Sequence, residues 1–195
     1  MSVSFQDGVS PNKKYSGNKD AYISQGAPTT NFGNASDVKI SGLSGSEQVA
    51  LIRWDITNVP VGKNVASGSI EIDVNGANGQ TYQIYQALRN WDDSQVTWVQ
   101  VSQGVNWQSP GASGAQDRGS VVLGTLAPTA NGTYVINLNG YGIKLVQDWI
   151  RKAAPNYGFV LVASPNTNSI SLASSDQSTL SLRPKLVVKV SASGK

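Results

Sequence analysis

The chain lacks histidine and cysteine altogether, and glutamate occurs only at Glu47 and Glu71. Without histidine, a Ser-His-Asp triad and a histidine-ligated metal are excluded. Without cysteine, thiol nucleophiles, zinc ribbons and disulfides are excluded as well. No apolar run approaches the roughly 18 residues of a membrane-spanning helix, so we expect no membrane partner. These absences remove most of the common catalytic and metal-dependent classes.

Charge is also sparse, because only 14% of the 195 residues are Asp, Glu, Lys or Arg. Ser, Gly, Asn, Gln and Thr together supply 84 residues, while hydrophobic residues still reach 39%, enough for a packed core. The net charge of +3 comes without a dense basic run, so we expect no nucleic-acid partner. With no visible linker or repeat, the composition predicts a single domain over residues 1–195.

Most of the chain alternates between apolar and polar residues with a period of two, the pattern of half-buried β-strands. The strand candidates are 21–24, 38–41, 49–56, 65–74, 81–88, 120–123, 133–138, 158–163, 169–173 and 186–190. Of these, 49–56 is apolar on both faces and is expected to be buried on both. Two Asn-Gly pairs between 65–74 and 81–88 predict a hairpin there. Many short strands separated by turns indicate an all-β sandwich or barrel.

One segment breaks this pattern and predicts a helix from Asn139 to Lys152. Tyr141, Leu145 and Trp149 recur at helical spacing, and Pro155 follows the segment. We expect this short helix to cap one open end of the sandwich.

The five tryptophans are candidates either for sugar stacking or for the core. Trp54 and Trp149 lie in apolar patterns that favour the core. Trp91 and Trp98 flank a short acidic turn, where core positions are again favoured. Trp107 lies in a Gly/Ser/Pro-rich loop, for which the sequence favours neither exposure nor burial of the side chain.

The acidic turn itself carries the adjacent aspartates Asp92 and Asp93. Such a pair can act as catalytic carboxylates, as loop-built calcium ligands or, as we favour, as solvated turn caps. The sequence therefore requires no cofactor, although a structural calcium ion is possible. No metal-ligating residues are identified.

Basic residues supply the candidate ligand-binding groups. Lys13, Lys14, Lys19 and Lys39 concentrate positive charge in the first third of the chain. They form either a solvated surface or a face that holds carboxylate or sulfate groups. Arg53 either lines a binding groove or, as we favour, is buried with an ion-pair partner.

Six groups of motifs recur in order along nearly the whole chain. They are 20–24 with 28–33, 51–57 with 59–62 and 65–72, Tyr85 with 91–98, Trp107 with 110–112, 145–149 with 156–159, and 171–174 with 183–186. As a set they resemble the DNRLRE domain family, which overlaps the alginate-binding carbohydrate-binding module family ninety-six. The resemblance implies a β-sandwich jelly roll in which Asp55, Thr97 and Asn156, with Trp91, Trp98 and Trp149, determine the fold.

The resemblance further implies a non-catalytic module that binds an acidic polysaccharide such as alginate through a basic face. The four lysines and Arg53 would pair with carboxylates, and Tyr22 or Tyr157 would stack on a sugar ring. The alternative is a structural or adhesive extracellular module without a glycan ligand. An enzyme is the least favoured reading, since no motif places catalytic groups together.

The first residues, Met1 to Phe5, show no signal-peptide pattern. We nevertheless favour an extracellular or cell-surface location, with this module appended to a larger secreted protein or enzyme.

Overall fold

The computed structural model describes residues 1–191 and consists almost entirely of β-strands. The strands are β1 (Ser2–Phe5), β2 (Asn18–Ser24), β3 (Asp37–Ile40), β4 (Gln48–Trp54), β5 (Asn64–Asn75), β6 (Tyr82–Gln86), β7 (Gln100–Ser102), β8 (Val105–Asn106), β9 (Gly124–Leu126), β10 (Gly132–Asn137), β11 (Phe159–Ala163), β12 (Ile170–Ala173) and β13 (Lys185–Ser191). One helix, α1 (Gly140–Ile150), and a short 3-10 turn (Leu180–Leu182) complete the fold.

Two antiparallel sheets form the predicted β-sandwich. The first has the strand order β1-β13-β5-β12-β3, with β10 also paired to β5, and the second has the order β2-β4-β11-β6-β9. Successive strands alternate between the sheets from β1 to β6, which is the crossover habit of a jelly roll. Strands β7 and β8 form a separate two-stranded ribbon.

The main core lies between the two sheets. In β5 the apolar residues Ile70, Ile72 and Val74 are buried, while the polar residues between them are partly exposed. Tyr82 and Ile84 of β6 face the same core from the second sheet. The period of two in the sequence of β5 therefore corresponds to one buried face of this strand.

A second core covers the outer face of the second sheet. Leu51 of β4 and Val160 of β11 are fully buried there, beneath a cover segment that we define as residues 88–119. This segment contributes Trp91, Trp98 and Trp107 to the second core. The prediction that the strand around Leu51 is buried on both faces is confirmed.

The helix begins and ends within two residues of the predicted bounds. Asn139 is its N-cap, because the Asn139 side chain accepts hydrogen bonds from the backbone N–H groups of Tyr141 and Gly142. Leu145 and Trp149 join the main core, and the Gln147 side chain bonds to backbone atoms at the start of β5. The helix thereby covers the sandwich core.

Two sequence predictions are wrong. The Asn-Gly pairs produce turns, with Gly76 and Gly79 at positive φ, but β5 and β6 belong to different sheets and form no hairpin. Each strand buries its apolar face in the same core from the opposite side, so the connection crosses between the sheets. Residues 120–123 form no strand, since pairing with β6 begins at Gly124.

Within residues 1–191, no helix is both long enough and apolar enough to span a membrane.

Candidate functional site

Two cations lie directly opposite each other on the outer face of the second sheet. Lys19 of β2 and Arg53 of β4 are register partners at the end of the paired strands. Like charges in this arrangement repel each other. The Lys19 Nζ atom lies 2.8 Å from an Asp93 carboxylate oxygen, and the Arg53 Nη1 atom donates to the Asn90 side-chain oxygen at 3.0 Å. The repulsion is therefore offset by partners from the cover segment.

The acidic turn is held by local hydrogen bonds. Asp92 Oδ1 accepts from the backbone N–H of Ser94 at 2.9 Å and from its hydroxyl at 2.7 Å. The hydrogen bond from the Ser94 side chain is the main cause of a pKa of Asp92 below its ordinary value. Asp92 thus acts as a turn cap, and Asp93 as the ion-pair partner of Lys19.

A neighbouring loop fixes this turn in place. The Asn31 side-chain amide donates to the backbone oxygens of Asp93 and Val96, at 2.8 Å each. A Cβ atom on Gly33 would lie 1.8 Å from the Asp93 backbone oxygen, so only glycine permits this approach. The stretch from Pro28 to Gly33 therefore serves to position the partner of Lys19.

Arg53 lines a groove, as the first sequence-based alternative predicts, and the favoured buried ion pair is wrong, since within residues 1–191 Arg53 forms no ion pair. Its guanidinium is half-buried and lies 5.0 Å from the Trp91 ring centroid, where it packs as a cation over the ring. Burial lowers the pKa of Arg53, while Asp93, Asp92 and Tyr157 act in the opposite direction. The side chain is therefore partnered and at the same time lines a surface groove.

Three adjoining hollows form this groove, which we call the end groove. Their volumes are about 530, 450 and 390 Å³. The first shares Lys19 and Arg53 with the third, and it shares Ser16, Gly17 and Asp55 with the second. The charged side chains along the end groove are Lys14, Lys19, Arg53, Lys152, Asp55, Asp92 and Asp93.

The structure brings together three of the five predicted cations. Lys14, Lys19 and Arg53 line the end groove, and Lys13 is an exposed neighbour of Lys14 that lines none of its hollows. Lys39 lies apart on β3 in the first sheet, with its Nζ 5.9 Å from the Tyr22 ring.

The two tyrosines proposed for stacking are both covered to a large extent. Tyr22 is 7% exposed and stacks on Phe32 with ring centroids 4.3 Å apart, so its ring offers no face to a sugar. Tyr157 is half-buried against the second core, and its backbone oxygen accepts from the Trp91 indole N–H at 2.8 Å. We leave Tyr22 out of the candidate site.

Two groove residues are not predicted by the sequence pattern. Tyr15 lines the groove, and its hydroxyl donates to the Asp55 backbone oxygen at 2.9 Å. Lys152 follows α1 and reaches the groove beside Trp149. The helical pattern places Lys152 on the polar side of α1, but only the tertiary structure brings that side to Arg53.

All five tryptophans are buried, each 8% exposed or less. The expected core positions of Trp54, Trp91, Trp98 and Trp149 are confirmed, and Trp107 is buried as well. The Trp107 indole N–H donates to the Thr97 backbone oxygen at 2.9 Å. These indoles stabilise the two cores and provide no exposed platform for a sugar ring.

No group of three acidic side chains within residues 1–191 converges to form a metal centre. The possible calcium ion stays a prediction, with Asp92 and Asp93 engaged by Ser94 and Lys19 as described.

The fold and the groove define a β-sandwich with a charged groove at one end. Residues 11–103, a little under half of the chain, match the model of Carbohydrate-binding module family 96. This match supports a carbohydrate-binding module family and a non-catalytic role. The DNRLRE resemblance and the alginate type stay predictions. No curated protein matches the chain at a significant level.

Proposed function

We propose that the protein is a non-catalytic module that binds an acidic polysaccharide such as alginate along the end groove. The observation that carries the proposal is the side-by-side placement of Lys19 and Arg53 in a groove that falls largely within the family match. We further propose that the module acts outside the cell as part of a larger secreted protein, where it raises the local concentration of its partner on a polymer.

The charges of the groove favour a polyanion. Lys14 and Lys152 lie at its walls as exposed side chains, in addition to the paired Lys19 and Arg53. Against these four cations the groove carries three carboxylates, so its net charge is positive by one. A polymer with regularly spaced carboxylates can engage several of these cations at once, although each exposed contact is weak.

The remaining groove atoms suit the neutral part of a sugar. Asp55 and Asn90 provide oxygen acceptors for sugar hydroxyls. Val59 and Val61 provide an apolar wall in the largest hollow. This mixture of polar and apolar contacts is typical of a carbohydrate site rather than of a bare anion site.

Affinity electrophoresis with alginate, pectin and ulvan, beside a neutral polysaccharide, tests the proposal. We expect the acidic polymers to retard the domain and added salt to abolish the effect, because exposed charge pairs are screened. Equal mobility in all gels would overturn the proposal. In that case, concentration-dependent assembly in light scattering without a glycan would identify the alternative, a structural or adhesive module.

Matched variants locate the site. We expect Lys14→Gln combined with Lys152→Gln to weaken binding about three- to tenfold, as the loss of two exposed charge contacts implies. Lys39→Gln combined with Lys189→Gln serves as the charge-matched control, because both lysines are exposed and lie in the other sheet. An equal effect of the control would indicate a non-specific response to net charge and contradict the end groove as the site.

A further inference from the structure

A separate hollow of about 210 Å³ lies between the outer face of the second sheet and the cover segment, and we call it the Arg118 hollow. Arg118 shares it with Glu47 and Trp98. None of its lining residues belongs to the end groove.

Arg118 differs from the other four arginines in having no polar partner for its side chain. The others are bound by side-chain or backbone oxygens: Arg53 by Asn90, Arg89 by Asp117, Arg151 by Asn64 and Arg183 by Gln177. Within residues 1–191, the guanidinium of Arg118 makes no hydrogen bond and no ion pair. The free donors of this half-buried guanidinium are not among the buried unpartnered atoms, so solvent reaches them and a ligand can replace that water.

The guanidinium nevertheless packs against an aromatic ring. It lies over the Tyr85 ring, 5.3 Å from the ring centroid. Burial lowers the pKa of Arg118, with Tyr85 and Glu47 acting in the opposite direction, and an arginine remains charged at neutral pH. A planar cation with free donors is suited to a bidentate carboxylate.

The other walls of the hollow indicate what carries this carboxylate. Val49, Val162 and Pro165 form an apolar side, which suits the C–H face of a sugar ring. Glu47 is exposed and does not form an ion pair with Arg118 within 4 Å, so it can accept hydrogen bonds from hydroxyl groups. Glu47 would repel an anion that has no hydroxyl groups. A sugar acid, in contrast, can donate hydrogen bonds from its hydroxyl groups to the Glu47 carboxylate.

We propose that the Arg118 hollow is a second subsite that binds one uronate residue, with its carboxylate on Arg118 and its hydroxyls at Glu47. Arg118 lies outside the family match, whereas Glu47 lies within it, and this inference rests on the proposed function for the class of ligand. A polymer or chain end bound there would contact the module independently of the end groove.

Calorimetry with a defined oligouronate, a short oligomer of alginate, tests the subsite. We expect Arg118→Gln to weaken binding about tenfold, because a charge-assisted bidentate contact is lost. Arg118→Lys keeps the charge without the planar fork and is expected to restore only part of the affinity. Arg151→Gln is the matched control, since Arg151 is exposed and, among residues 1–191, its side chain bonds only to Asn64.

A nitrogen-15 NMR titration separates ligand binding from a structural role. We expect the Arg118 side-chain N–H and the Trp98 indole N–H to shift with oligouronate, and not with the corresponding neutral oligosaccharide. If Arg118 had only a structural role, Arg118→Gln would have a lower Tm but the same affinity for the oligouronate. The oligouronate would then not shift the Arg118 and Trp98 signals of the unaltered protein. This outcome would overturn the inference.

The two proposals fail in different ways. Loss of binding in the end-groove variants with unchanged binding in Arg118→Gln would overturn the second subsite alone. Loss only in Arg118→Gln would overturn the end groove and support the second subsite. Absence of any oligouronate binding by the unaltered protein would overturn both.

Discussion

Charge compensation at Lys19 and Arg53 controls the properties of the end groove. Two cations at opposed register positions would repel each other, but Asp93 lies against Lys19 and also attracts Arg53. Both ion-pair partners are partly exposed, with side-chain exposures of 46% for Lys19 and 27% for Asp93. The pair is therefore a contact that a polyanion can replace without a large cost.

Replacing Asp93 with asparagine should strengthen the binding of acidic polymers. The change removes one of three groove carboxylates and frees Lys19, so we expect a two- to fivefold gain in affinity that disappears at high salt. The stability cost should stay near 1 kcal/mol, as is usual for a partly exposed pair. Calorimetry at two salt concentrations, with thermal unfolding alongside, measures both effects. Unchanged or weaker binding would contradict a site that depends on the free charge of Lys19.

The cover segment contributes to both candidate sites, with Asp92 and Asp93 in the end groove and Arg118 in the second hollow. A single carboxylate organises its second half, since fully buried Asp117 accepts hydrogen bonds from the backbone N–H groups of Gln108, Ser109 and Gly114. Arg89 lies 3.7 Å from the same carboxylate. The segment has little regular structure, so these contacts and its buried tryptophans hold it on the sheet.

Replacing Asp117 with alanine should destabilise the protein by about 3–5 kcal/mol. The change leaves three backbone N–H donors, of which that of Gly114 is buried, and Arg89 without their acceptor. Denaturant unfolding measures the loss, and Asp148→Ala is the control because Asp148 makes only an exposed pair with Lys144 on α1, expected to contribute below about 0.5 kcal/mol. A similar small effect for both variants would show that the cover segment does not depend on Asp117.

At the scale of the whole molecule, aspartates near the start of the chain contact residues near its end. Asp20 of β2 is 2% exposed and accepts a hydrogen bond at 2.8 Å from the backbone N–H of Ser175. Burial raises the pKa of Asp20 to about 7, with hydrogen bonds from Ser175 acting in the opposite direction. Loss of solvent contact also raises the pKa of Asp7 and of Asp176, while the positive charge of Arg183 acts to lower both pKa values.

These shifts predict an unusual dependence of stability on pH. Between the ordinary value of 3.8 and about 7, folded Asp20 holds a proton that the unfolded chain has released, so the free energy of unfolding falls as the pH rises. Asp7 and Asp176 act in the same direction, while the lowered pKa of Asp92 acts only below its ordinary range. We expect a lower Tm at pH 8 than at pH 5, by several degrees at about 2–4 °C per kcal/mol.

Thermal unfolding across this pH range, with the Asp20→Asn variant as control, measures the effect. The variant cannot titrate at this position, so its Tm should change less between pH 5 and pH 8. A Tm that rises toward pH 8 in the unaltered protein would contradict the assignment of a buried, protonated Asp20.

The sequence by itself determined the class of fold and most of its elements. Strict alternation in β5 and helical spacing around Trp149 are local patterns, and local periodicity specifies which face of an element is buried. The absence of histidine and cysteine also limits the chemistry that any site on this chain can perform, whatever the fold.

Only the tertiary structure decided which residues meet. The Asn-Gly turns after β5 predict a reversal of the chain. Whether β6 then forms a hairpin with β5 or crosses to the other sheet depends on the strands with which β6 pairs. In the same way, Lys152 joins Lys14 and Lys19 at the end groove across a long sequence separation, whereas Lys39, which is closer to them in sequence, lies apart. Sheet pairing and long-range packing set these distances, and no local pattern in the chain encodes them.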